Sequence, residues 1–120
     1  ILSGAFDRNP KLQVISGHWG EMLPFYLQRL DDSIPQEASG LARSITQTFR
    51  EQVWVTPSGM LTLPHFRFIH DLMGAERILY SLDYPYQSLD GARAFIDSLP
   101  VPDTEKAMIA HGNAERLLKL

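Results

Sequence analysis

Three side chains in this sequence are of types that move protons or hold metal ions, and each stands where a strand hands over to a helix. His18 and Glu21 follow the β-branched apolar run Leu12 to Ser16 and a glycine. Asp83 follows the run Arg77 to Leu82, in the segment ILYSLDYP. Junctions of this kind are the usual place for chemistry in α/β architectures. An imidazole titrates near neutrality and can serve as acid or base in turn. Glu21, three residues on, can bond the ring and set its tautomer. Asp83 is a hard oxygen donor suited to Zn, Mn or Mg. Both positions also have plainer readings. His18 can cap the start of the following helix, with Glu21 a favourable first-turn acid. Asp83 can bond backbone amides ahead of the Tyr84-Pro85 turn, the better reading on the residues alone.

The elements that must position these groups follow from periodicity and chain breakers. Ile1 to Phe6 reads as the last turn of a helix, ended by Asp7-Arg8-Asn9-Pro10. Leu12 to Ser16 predicts a short buried strand. After Gly20, the spacing of Leu23, Tyr26, Leu27 and Leu30 predicts one apolar helical stripe. Met22 and Phe25 lie off that stripe, so a second partner surface is expected there. Asp31 to Gly40 reads as a loop and Leu41 to Arg50 as a short surface helix. Gln52 to Thr56 is strand-like and is stopped by Pro57-Ser58-Gly59. Leu63 to Met73 predicts a helix with Pro64 in its first turn and Gly74 closing it.

Arg77 to Leu82 then reads as a third strand, and Leu89, Ala92, Ile96 and Leu99 as a helical stripe behind a Ser88 cap. Beyond Pro100 and Pro102 a helix runs to His111 and restarts with Asn113 as its cap. His65 and His70 share one predicted helix at a spacing poor for joint ligation, and His111 suits a helix end. None of these three histidines is assigned a catalytic role. Strands that are each followed by a helix imply right-handed crossovers and a parallel sheet. Such a sheet alone has two unpaired edges, so upstream strands of a closed barrel are expected to complete it.

A chain of 120 residues has room for one domain. Its 44% hydrophobic and 21% charged residues are ordinary for a globular protein. A net charge of -3 with scattered Lys and Arg carries no basic footprint for nucleic acid or an anionic membrane. There is no cysteine, so disulfides and thiolate chemistry are excluded and any metal must use His, Asp or Glu. A cytoplasmic protein is expected, and Ile1 in place of a methionine suggests a piece of something longer.

The segments GAFDRNPKLQVISGHWGEMLPFYLQRLD, VTPSGM, GAERILYSLDYPY and IAHGNAERLLKL together resemble the carboxy-terminal part of the amidohydrolase-2 group of the amidohydrolase superfamily. Within it the sequence is most similar to the non-oxidative decarboxylase branch, the γ-resorcylate and other hydroxybenzoate decarboxylases and the aminocarboxymuconate semialdehyde decarboxylases. The resemblance implies that residues 1–120 are the carboxy-terminal portion of a (β/α)8 TIM barrel, strands six to eight with their helices, the amino-terminal portion being absent. It implies a divalent metal at the barrel mouth, with Asp83 as a ligand and His18 in proton transfer. It also places Tyr86 beside the substrate ring, and Arg29 reaching from a neighbouring subunit to a substrate carboxylate. A solvated Arg29 paired with Asp31 or Asp32 is the plainer alternative.

The family's His-x-His or Glu-x-His on strand one and its strand-five histidine are not in this sequence. The implied function is metal-dependent decarboxylation of a small aromatic or unsaturated carboxylic acid by a homodimer or higher homo-oligomer. Hydrolysis of a lactone or amide on the same barrel, or a non-catalytic chain, are the alternatives.

Overall fold

Two short parallel strands, one buried and one at an open edge, form the sheet of the structure, a computed structural model that describes residues 1–120. β1 is Val14–Ser16 and β2 is Val53–Val55, with Val14 opposite Val53 and Ser16 opposite Val55. Parallel pairing needs a long crossover. Here it is made by α2 (Leu23–Ser33), α3 (Gln36–Ser39) and α4 (Ile45–Gln52), which follow α1 (Ala5–Arg8). After β2 come α5 (Leu63–Met73), α6 (Ala92–Ser98), α7 (Asp103–Ala107) and α8 (Asn113–Leu118).

Several expectations are corrected by packing. β1 is not buried: Val14 is 38% and Ile15 51% exposed, because β1 pairs only with β2 and nothing in the chain covers its outer side. The third strand is reduced to a single parallel bridge, Val55 to Ile78, and a 3-10 turn occupies Ala75–Arg77. No further strand takes up the remaining amides, yet Ile78 and Leu79 are buried as a strand there would be.

Helix α2 begins at Leu23 and runs through Asp31 and Asp32, which were expected in a loop. Asp31 is useful there: its Oδ1 accepts from the Thr46 amide at 3.2 Å, satisfying an orphan donor at the start of α4. Ser44 Oγ accepts from the Gln47 amide beside it. Because α2 enters with Pro24 packed inward, its buried positions are Pro24 and Leu27, and Tyr26 turns outward. Leu89 is likewise exposed: α6 opens only at Ala92, and Ser88 Oγ caps the turn at Asp90 instead of the helix.

Asn113 does not cap α8. The helical path is continuous from Asp103 through a π turn at Met108–Gly112, and Asn113 lies buried in it. Its Nδ2 donates to the carbonyls of Ala75 (2.8 Å) and Ile78 (2.7 Å), the first of which also accepts from the Ile78 amide at 3.2 Å.

The core runs between the strands and the helices, with Leu27, Phe49, Val55, Phe66, Ile69, Ile78 and Phe95 among its members. No helix is long and apolar enough to cross a membrane.

Candidate active site

Beyond Ser16 the chain makes a left-handed turn instead of entering α2 at once. His18, Trp19, Gly20, Glu21 and Met22 all have positive φ, from 45° to 84°. Such a conformation costs a non-glycine L-residue about 1–2 kcal/mol, so something must hold it. Trp19 does. It is buried, it packs edge-on against Phe66 and Phe95, and its Nε1 donates to the Met60 carbonyl at 2.7 Å. Its backbone amide donates to Thr56 O at 2.8 Å, tying the turn to the end of β2. With Trp19 fixed inward, His18 and Glu21 face the rim.

The structure brings three of the expected residues together. His18 Nδ1 lies 2.7 Å from Glu21 Oε1, and His18 Nε2 lies 3.5 Å from Asp83 Oδ2. The Glu21 carboxylate raises the imidazole above its ordinary pKa, partial desolvation opposes it, and Asp83 adds to the rise. Asp83 also has positive φ (59°), and its carbonyl accepts from the amides of Tyr86 and Gln87. The bond to backbone that the sequence suggested for Asp83 is therefore made by its own carbonyl, which leaves the carboxylate to face His18.

Tyr86 and Arg29 are not part of this constellation. Tyr86 is 85% exposed in the turn after Asp83. Arg29 is exposed on α2 and forms no ion pair, with Asp31, Asp32 or any other carboxylate.

Beside His18 opens an apolar cleft of about 380 Å³, lined by Trp19, Met22, Phe25, His65 and Phe68 among others. His65 was passed over because its spacing to His70 is wrong for joint ligation. Its Nδ1 is engaged by Thr62 Oγ1 at 2.7 Å, and only the fold places its ring on the same cleft as His18. Trp19 carries no positional signal in the sequence either, since nothing about an aromatic at a strand-to-helix junction says which way it faces. The other two histidines are structural: His70 meets Glu105 at 2.7 Å and His111 meets Glu115 at 3.0 Å.

A protein-held metal ion takes three or more ligands. No group of three His, Asp or Glu side chains in this chain is arranged to hold one. Asp83 and His18 supply one carboxylate and one imidazole, donors of the right chemistry but only part of a set.

Comparison with known proteins agrees with this partial character. The amidohydrolase family profile matches residues 1–120. The chain is 36% identical over 124 residues to the decarboxylase OrsB of Emericella nidulans, covering 98% of this chain and 38% of that protein. The structure superposes on 5-carboxyvanillate decarboxylase from Sphingomonas paucimobilis with a TM-score of 0.89 and 37% identity, over 99% of this chain and 37% of that one. It also superposes on a dihydroxybenzoic acid decarboxylase from Polaromonas sp. JS666 solved with bound manganese and the inhibitor 2-nitroresorcinol. There the TM-score is 0.89 and the identity 31%, over 99% and 37% of the two chains. The chain thus spans well under half the length of these relatives. It belongs to the amidohydrolase family, and its α/β fold is the carboxy-terminal part of a (β/α)8 barrel.

Proposed function

We propose that this chain carries the proton-transfer half of the active site of a metal-dependent decarboxylase acting on small aromatic, hydroxybenzoate-like or unsaturated carboxylic acids. The observation that carries the reading is the convergence of His18 and Asp83, from two different strand ends, at 3.5 Å beside an apolar cleft. The relatives support it through their own activities and, for the Polaromonas enzyme, its bound manganese.

Asp83 would hold the divalent metal, Zn, Mn or Mg, together with donors from outside these residues. When bound, the metal supplies Lewis-acid polarisation of substrate oxygens. The remaining work belongs to the chain. Glu21 keeps a proton on Nδ1 of His18 and so directs Nε2 toward Asp83. His18 and Asp83 together deliver a proton to the carboxylate-bearing carbon; the bond to the carboxylate then breaks and CO2 leaves, with one proton consumed per CO2 released. The apolar and aromatic walls of the cleft would pack against the ring.

Arg29 would bind a substrate carboxylate across a subunit boundary. Met22, Phe25, Tyr26 and Phe68 form an exposed apolar surface around α2, which supports a homodimer on this face.

Incubating the protein and Mn2+ with a panel of ortho-hydroxybenzoates, lactones and amides, with assays for CO2 and for ring-opened acids, tests the reaction class. CO2 release abolished by EDTA is the expected result, and ring-opened acids without CO2 would replace decarboxylation by hydrolysis. A second reading, in which the chain by itself is non-catalytic, is favoured by the incomplete donor set. Metal analysis separates the two: stoichiometric tight binding by this chain alone counts against the inert form.

A further inference from the structure

Beneath the site lies a closed ring of hydroxyls for which the reaction above has no use. Ser81 Oγ donates to Thr56 Oγ1 at 2.9 Å, Thr56 Oγ1 and Ser58 Oγ are 2.8 Å apart, and Ser58 Oγ and Ser81 Oγ are 3.3 Å apart. A hydroxyl has one proton to give, so a ring in which each donates once and accepts once is self-satisfied. It has no spare donor for a substrate. Its consequence lies in what it ties together.

Thr56 continues β2. Its amide donates to Ser16 O (2.9 Å) and its carbonyl accepts from Trp19 N (2.8 Å), which fixes the backbone on both sides of Gly17 and His18. Ser81 lies two residues before Asp83. Ser58 bridges them. It has a left-handed backbone (φ 45°), and its hydroxyl fits under Gly17 so closely that a Cβ there would lie 2.8 Å from Oγ. Gly17 itself has an ordinary φ of -72°, so glycine is required there for space and not for conformation. On the far side, a Cβ at Gly59 would lie 3.0 Å from the Leu82 carbonyl and 2.6 Å from Gln87 Cγ, so this loop also presses on the turn that carries Asp83.

We propose that Thr56, Ser58 and Ser81 are positioning residues: their hydroxyl ring sets the separation of the His18 imidazole from the Asp83 carboxylate. The end of β1 that carries His18 and the segment that carries Asp83 are not paired with each other. Each pairs with β2, the Asp83 segment only through the Val55 to Ile78 bridge, the Leu79 N to Val55 O bond and, beyond β2, a long Gly59 N to Ser81 O bond at 3.4 Å. Beside that long backbone bond, the ring supplies the side-chain link toward the rim, joining Thr56, which holds the backbone around His18, to Ser81, two residues before Asp83. The role in positioning rests on geometry alone; only the kinetic part of its test rests on the decarboxylase reading.

Two substitutions at one position separate positioning from packing. Thr56→Val keeps the shape and loses the hydroxyl; Thr56→Ser keeps the hydroxyl and loses a methyl. The readout is the His18 ring resonance in NMR spectra of the metal-free protein at fixed pH, assigned with His18→Gln, with Asp83→Asn marking a ring that has lost its carboxylate neighbour. Thr56→Val is expected to move the resonance most of the way to the Asp83→Asn position, and Thr56→Ser to leave it in place. With Mn2+ and a hydroxybenzoate, Thr56→Val is expected to lower kcat about 10–100-fold, the usual range for partners that orient a ligand, with KM nearly unchanged. If Thr56→Val does not fold, Ser81→Ala takes its place with the same expectation.

Equal displacement by Thr56→Val and Thr56→Ser, or none by Thr56→Val or its substitute, overturns the proposal. If the wild-type protein releases no CO2 while the resonance behaves as expected, catalysis by this chain alone falls and the positioning role stands.

Discussion

Asp83 Oδ2 stands 3.5 Å from His18 Nε2, and both residues hold left-handed backbones, with φ of 59° and 45°. Neither is a glycine: a left-handed backbone costs an ordinary L-residue about 1–2 kcal/mol, less for aspartate, and the surrounding structure must offset it. Strain of this kind persists only where packing over-determines the conformation, and it clusters at functional sites. Trp19 supplies the packing on the histidine side. On the aspartate side the turn is held by the amides of Tyr86 and Gln87 on the Asp83 carbonyl.

Loss of either member of the pair is expected to reduce turnover more than substrate binding. Under the proposed mechanism, His18→Gln and Asp83→Asn each lower kcat by about 10²–10⁴-fold, the range of a general acid or base. Steady-state kinetics of CO2 release measures this. A variant of either residue with full activity would remove it from the mechanism.

The left-handed turn should be the most sensitive element of the site to truncation. Trp19→Ala removes a buried aromatic and is expected to destabilise the fold by about 3–5 kcal/mol. Trp19→Phe keeps most of the packing and loses only the bond to the Met60 carbonyl, at about 1 kcal/mol plus the cost of an unpaired acceptor. Urea unfolding midpoints of the two variants give the comparison.

The exposed face of α2 makes a prediction about assembly. Phe25 packs edge-on with Tyr26 (5.3 Å) and lies 6.3 Å from Phe68, forming an aromatic surface in the open. Under the proposed homodimer, Phe25→Asp is expected to convert dimer to monomer in sedimentation velocity. Arg29→Ala should raise the KM for substrate and leave the dimer intact. If Arg29→Ala alters neither KM nor assembly, its role across the interface is wrong.

At the opposite edge, Arg43 Nη1 meets Glu51 Oε2 at 2.7 Å and Arg43 Nη2 meets Asp7 Oδ1 at 3.4 Å, joining α1 to α4. The Arg43 guanidinium, then the Gln47 amide, holds the Glu51 carboxyl below its ordinary pKa. A carboxylate with a depressed folded-state pKa stabilises the fold above its unfolded pKa, and that contribution is lost as pH falls through the folded value. Stability should therefore decline as pH is lowered through the carboxylate range, and Arg43→Met should flatten that decline. Thermal melts of both proteins across this range test the sign. An unchanged slope would show that the pair is screened by solvent, as exposed pairs often are.

Much of the scaffold was legible from local chemistry. The alternation and branching of Val53 and Val55 located β2, the Pro64 start and Gly74 stop bounded α5, and the likeness of whole segments to the amidohydrolases placed the strands in order. These are properties of consecutive residues, and they survive without knowledge of what packs on them. The structure alone decided the rest. His-Trp-Gly-Glu-Met reads as a helix entrance, and it became a left-handed turn because burying Trp19 outweighs local preference. Arg77 to Leu82 reads as a strand, and it keeps one bridge because a strand exists only through its neighbours. Asn113 reads as a cap, and it became the buried donor to the Ala75 and Ile78 carbonyls, 38 and 35 residues away in the chain. The types of the groups that pair at the rim were written in the sequence. Their spacing of 3.5 Å was not, because it depends on burial and hydrogen bonds between segments far apart in the chain.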